Sequence, residues 1–177
     1  TLSDGTQYEA KILGQDESSD LAVLKIEATN LKAVSIGSSK DLQVGQSVVA
    51  IGNPLSEEFS QTVTNGIISG VNRKLKADNQ SFSLIQTNAA INSGNSGGAL
   101  VDSNGKLIGI NTAKISAEGV EGIGFAIPID EAMTIVQELV DKGSIEHAYI
   151  GFSGYLLTEE LAKQAGVDYK GGVIVAS

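Results

Sequence analysis

The chain has 177 residues, 21 of them acidic and 12 basic, for a formal charge of −9. That charge disfavours nucleic acid as a partner, because phosphate neutralisation supplies most of such binding and the only basic cluster is Arg73, Lys74 and Lys76. Cysteine is absent, which removes disulfides and thiolate metal sites, and no apolar run approaches the roughly 20 residues of a membrane helix.

The chain starts at Thr1 and ends on the strand-like run Val173–Ser177, so both ends are read as cuts in a longer protein. Tyr8–Leu13 begins as an alternating strand, and Leu21–Ile26 reads as a strand buried on both faces. Ala33–Ile36 and Ser47–Ile51 are further short strands. A long β-type segment covers Gln61 to Val71, with Gly66 and Gly70 as bulge or bend positions. Ser83–Thr87 leads into a glycine-rich loop. Ala99–Asp102 and Leu107–Asn111 then form a hairpin across Ser103-Asn104-Gly105, since Asn-Gly favours the positive φ of such turns. Many short strands with glycine corners predict an all-β barrel or sandwich.

The period changes after Pro128. Ile129, Ala132, Met133, Val136, Leu139 and Val140 recur at helical spacing, with Asp130 near the start and Gly143 past the end. Such a helix packs across a barrel surface, and Met133 reads as core filling. Beyond Gly143 a short helix from Thr158 to Ala165 precedes Gly171–Val175, a tail with too few apolar residues for its own core. The predicted division is 1–144 for the main domain and 145–177 for the start of another.

The loop Asn92-Ser93-Gly94-Asn95-Ser96-Gly97-Gly98 carries the chemistry. A serine enclosed by glycines can sit on a sharp turn and let a substrate strand approach the main chain. As a nucleophile Ser96 needs a base, oriented in turn by a third group, and two N–H donors for the oxyanion. Gly94 and Ser96 stand where those donors would be. Asp20, at the mouth of an apolar strand, is a candidate orienting carboxylate, against the bland reading of a strand-entry turn. The only histidine, His147, lies in the join after the helix and is a poor candidate for the base. No residue pattern holds a metal or cofactor.

These stretches resemble the HtrA/Deg family of trypsin-like serine proteases over nearly the whole chain. The similar runs are Thr1–Gly5, Ser19–Ile26, Ala50–Leu55, Gln61–Ser69, Gln86–Asn92, Gly94–Gly98 and Gly122–Pro128. The resemblance implies a chymotrypsin-like double β-barrel, the first barrel incomplete, a C-terminal helix, and then a truncated PDZ domain. It implies endoproteolysis of misfolded or stress-released polypeptides outside the bacterial cytoplasm, with Ser96 as nucleophile, Asp20 orienting the base, and Gly94 with Ser96 as oxyanion donors. Ile91, Ile123, Gly124 and Phe125 would shape an apolar pocket for small aliphatic side chains. Tyr149, Ile150, Gly151 and Phe152 would be the loop by which a PDZ domain takes a partner's C-terminal tail through strand addition. Trimers are the expected assembly, with membrane anchoring in some members.

Three departures stand out. The family's catalytic histidine lies in a Thr-x-x-His-Val-Val type run ahead of the aspartate segment, and residues 1–177 contain no such run. Asn88 stands where an aspartate is usual, which predicts a weaker loop-ordering bond, and Ser93 replaces a frequent proline. Two other readings stay open at this point: a non-catalytic peptide-binding or sensing module on a protease fold, and a plain structural β domain.

Overall fold

The computed structural model describes residues 1–2, 4–53, 62–77, 80–113, 122–147, 153–168 and 171–176. They fall into two compact units, Thr1–Ile145 and Glu146–Ser177. The first unit holds β1 (Ala10–Asp16), β2 (Leu21–Ile26), β3 (Ser47–Gly52), β4 (Thr62–Ala77), β5 (Gln80–Thr87), β6 (Ala99–Asp102), β7 (Leu107–Thr112), β8 (Gly124–Pro128) and α1 (Ile129–Lys142). Six of these strands close a barrel in the order β3-β4-β5-β8-β7-β6, and β1 and β2 form a separate antiparallel pair. The all-β, barrel-type expectation is met.

The barrel closes because period-2 alternation gives each strand an apolar face. Val48 and Ala50 of β3, Ile68 of β4, Ile85 of β5, Leu100 of β6, Ile108 of β7 and Ala126 of β8 share one buried cluster. The opposite faces of β5 and β8 supply a second. Leu84, Phe125 and Ile127 pack there with Leu21 of β2 and with Ile129 and Ala132 of α1. All five residues of β8 are therefore buried. Helix α1 carries Asp130 and Glu131 in its first turn and Lys142 in its last, as its dipole favours. It stops at Gly143, whose left-handed φ of 79° lets its N–H cap the Leu139 carbonyl at 2.9 Å.

Four expectations need correction. Only Leu21 of β2 is buried, while Leu24 is 61% exposed. Among the described residues β2 pairs with β1 alone and has one face covered, so the apolar run is not enclosed. Ala33–Ile36 forms no strand. Strand β7 already lies between β6 and β8, and the segment finds only the parallel bridge Ile36–Leu107, with Leu107 N–H donating to the Ser35 carbonyl at 2.9 Å. The β-type segment expected to end at Val71 continues as β4 to Ala77. Its register shifts flank Gly70 as expected, but Gly66 stays in register opposite Val48.

Asp130 fastens the β2–β3 connection to the helix. Its Oδ2 accepts from the Ser39 N–H and from the hydroxyls of Ser39 (2.8 Å) and Ser38 (3.0 Å), while its own N–H donates to Ser39 Oγ at 3.2 Å. The Ser39 N–H, then the two hydroxyls, hold the carboxyl below the usual aspartate range. A folded-state value below the unfolded one contributes stability above the unfolded pKa, and that contribution is lost as pH falls through the folded value. Asp130→Asn is therefore expected to lower the melting temperature most near neutral pH, the gap to the parent closing as the pH falls through the lowered folded-state value. Paired thermal melts across that range test it.

The second unit contains β9 (Ser153–Leu156), α2 (Glu159–Ala165) and β10 (Val173–Ala176), with β9 and β10 antiparallel. Thr158 caps α2 by accepting the Leu161 N–H on its hydroxyl at 3.2 Å, and Gly166 ends it at φ 67°. Leu156, Val173 and Val175 are exposed and Ala162 is the one buried apolar side chain described in this unit, in keeping with the thin core read from sequence.

Candidate active site

The serine loop runs from the end of β5 to the start of β6 and is held by its own amides. Asn95, 1% exposed, accepts the Asn92 N–H on Oδ1 at 2.9 Å and donates from Nδ2 to the Ala90 carbonyl at 2.7 Å. The loop's exit is tied to β7, since Gly97 N–H donates to the Asn111 carbonyl at 2.8 Å and Asn111 N–H to the Gly98 carbonyl at 2.9 Å. Gly97 sits at φ 81°, in the left-handed region open to glycine. Ser96 is left exposed at the crest.

Asp20 closes the turn between β1 and β2 at φ 60°, a conformation that aspartate tolerates better than most residues and that marks a position worth functional attention. The last residue of β7 and the one that follows it join it to the serine loop. Thr112 donates its hydroxyl to Asp20 Oδ2 at 3.0 Å, and Ala113 N–H donates to Ser96 Oγ at 3.1 Å. With one peptide unit between those donors, the carboxylate and the serine oxygen are separated by at most about 10 Å. An imidazole hydrogen-bonded on both nitrogens spans roughly 8 Å. Asp20 and Ser96 are both solvent-exposed, so a ring could enter between them. His147 belongs to the second unit.

Sequence reasoning missed Thr112 and Asn95. Both are nearly buried polar side chains that the chain's alternation does not explain. A hydroxyl at the end of a strand neighbouring the serine loop was the available signal for Thr112.

The two N–H groups expected to hold the oxyanion are engaged within the loop. Gly94 N–H donates to Asn92 Oδ1 at 3.0 Å and Ser96 N–H to the Asn92 carbonyl at 3.2 Å. Of the pocket residues, Ile91 and Gly124 meet: a Cβ on Gly124 would lie 2.5 Å from Ile91 Cγ1 and 3.0 Å from the Ala89 carbonyl. Ile123, beside them in sequence, is 45% exposed. Phe125 is the exception. One residue along β8 reverses the face, so its ring lies 8% exposed in the cluster beneath α1 and does not share a side with Ile91. Asn88 keeps its bond, accepting the Ile67 N–H on Oδ1 at 2.7 Å, so the amide oxygen does what a carboxylate would. Tyr149, Ile150, Gly151 and Phe152 lie outside the described residues.

Adding a methyl at Gly124 would force Ile91 aside. Gly124→Ala is expected to destabilise the fold by about 1–3 kcal/mol, measured by urea unfolding.

Residues 1–110 match the family described as the trypsin-like peptidase domain. The serine protease Do-like HtrA of Bacillus subtilis is 50% identical over 158 residues, covering 86% of this chain and 35% of that protein. The periplasmic serine endoprotease DegP of Escherichia coli K12 is 45% identical over 178 residues, covering 99% of this chain and 37% of that protein. A solved structure of the HtrA-type protease AlgW with a decapeptide superposes with a TM-score of 0.82 at 44% identity, covering 99% of this chain and 54% of that one. The chain thus spans about a third of the length of these two curated relatives.

Proposed function

Because the chain belongs to the HtrA/Deg family of trypsin-like serine proteases, we propose that it is the catalytic core of an endopeptidase that cleaves misfolded or stress-released polypeptides. The observation that carries this reading is the Thr112–Ala113 pair, which bonds Asp20 on one side and Ser96 on the other. Ser96 Oγ attacks the scissile carbonyl as a histidine takes its proton, and the same histidine then protonates the leaving amine. Asp20 holds that imidazole in the productive tautomer and stabilises its charged form, while Gly94 and Ser96 N–H groups take the oxyanion once turned toward it. Ile91, Ile123 and Gly124 select a small aliphatic side chain beside the scissile bond.

The base is a histidine of the Thr-x-x-His-Val-Val run that the family carries ahead of its aspartate segment and that residues 1–177 lack. Residues 145–177 begin a PDZ domain that takes C-terminal tails, and the working assembly is a trimer. The site of action is extracytoplasmic, by analogy with the relative named as periplasmic.

A second reading, a peptide-sensing module without catalysis, is favoured by one observation: both oxyanion donors are occupied within the loop. One comparison separates the two. The protein extended to include the histidine run should cleave an unfolded reporter polypeptide. Residues 1–177 alone should retain at most the residual ~10³–10⁴-fold acceleration over water left when a triad member is missing. Equal rates from the two would refute the assigned base, and no cleavage by either would favour the sensing module.

A further inference from the structure

We propose that Asn92 is a positioning residue that occupies the oxyanion donors of its own loop until the reacting carbonyl displaces it. The inference rests on the peptidase reading above. Gly94 N–H donates to Asn92 Oδ1 at 3.0 Å, and the N–H groups of Asn95 and Ser96 both donate to the Asn92 carbonyl at 3.2 Å. One residue therefore accepts both of the amides that acyl transfer needs pointing elsewhere.

The two contacts are held differently. The backbone of Asn92 is pinned, because its N–H donates to the buried Asn95 side chain at 2.9 Å and Asn95 is anchored in turn on the Ala90 carbonyl. The side chain of Asn92 is on an exposed residue and can rotate away without disturbing that pin. Gly94 N–H is thus released by a rotamer change, whereas Ser96 N–H is released only when the Asn92–Ser93 peptide, which carries its acceptor, turns. A neutral substrate carbonyl gains little by exchanging with a neutral amide oxygen. A developing oxyanion forms a charge-assisted bond, roughly twice as strong. The contact therefore yields to the transition state more readily than to bound substrate, and its effect falls on kcat rather than KM.

The test uses the protein with its histidine run, an unfolded reporter polypeptide, and two variants. Asn92→Ala removes the side-chain acceptor and is expected to raise kcat about two- to tenfold with KM unchanged, the size of one net hydrogen bond. Asn92→Asp keeps the acceptor, holds Gly94 N–H more tightly and repels the oxyanion, so kcat should fall by at least as much. Amide hydrogen exchange on the resting protein gives a readout free of catalysis. Gly94 should exchange faster in Asn92→Ala, while Gly97, bonded to Asn111, does not change. A lower kcat in a normally melting Asn92→Ala, a kcat in Asn92→Asp at or above the parent's, or unaltered Gly94 exchange overturns the proposal. If Asn92→Ala does not fold, Asn92→Asp decides by its kcat. If the parent protein cleaves nothing, it is the peptidase reading that fails, and Gly94 exchange still decides whether Asn92 holds the amide.

Discussion

Ser96→Ala, made in the protein that carries its histidine run, is expected to lower kcat/KM on an unfolded polypeptide by about 10⁴–10⁶-fold. The size follows from the role: without the hydroxyl no acyl-enzyme forms, and only binding and oxyanion stabilisation remain to assist water. Stability should not fall with it. Ser96 is exposed, and its Oγ accepts the Ala113 N–H at 3.1 Å, a donor that water can satisfy in the variant. A variant with parental melting behaviour and activity within tenfold of the parent would remove Ser96 from the nucleophile's place.

Asp20→Asn should cost about 10⁴-fold in kcat at neutral pH. The substitution separates charge from shape unusually well at this position. Asparagine tolerates the left-handed φ of 60° as aspartate does, and its amide oxygen can still accept the Thr112 hydroxyl now bonded at 3.0 Å. What disappears is the negative charge that stabilises an imidazolium and selects its tautomer. A loss smaller than about tenfold would mean that Asp20 does not face the base, leaving it the strand-entry turn residue that its neighbours Asp16 to Ser19 suggest.

The elements that depend on local pattern were readable in the chain. Short apolar runs between turn residues located β3, β6 and β7, the Asn104-Gly105 pair located the hairpin, and the 3.6-residue recurrence from Ile129 located α1 with its Gly143 stop. Readings that depend on neighbours were not. Whether Leu24 is enclosed is decided by what lies on each side of β2, and the four apolar residues in a row from Leu21 to Leu24 carry no such information. The family resemblance puts Phe125 in the pocket with Ile123 and Gly124, although alternation along β8 separates the small residues Gly124 and Ala126 from the large Phe125 and Ile127. The serine and aspartate motifs marked Ser96 and Asp20. The residues connecting them, Thr112 and Ala113, are 92 positions from Asp20 and 17 from Ser96 along the chain, and only folding shows that they adjoin both. The bond that holds Gly94 N–H depends on an asparagine rotamer, which no motif encodes.

The central claim, that Ser96 is the activated nucleophile of a cleft shared with Asp20, is tested most directly by a fluorophosphonate probe and peptide mass mapping on the protein with its histidine run. The account predicts one phosphonyl adduct, on the peptide containing Ser96, absent in Ser96→Ala and formed far more slowly in Asp20→Asn. An adduct on a different serine, or none in a preparation that still cleaves polypeptides, would contradict it.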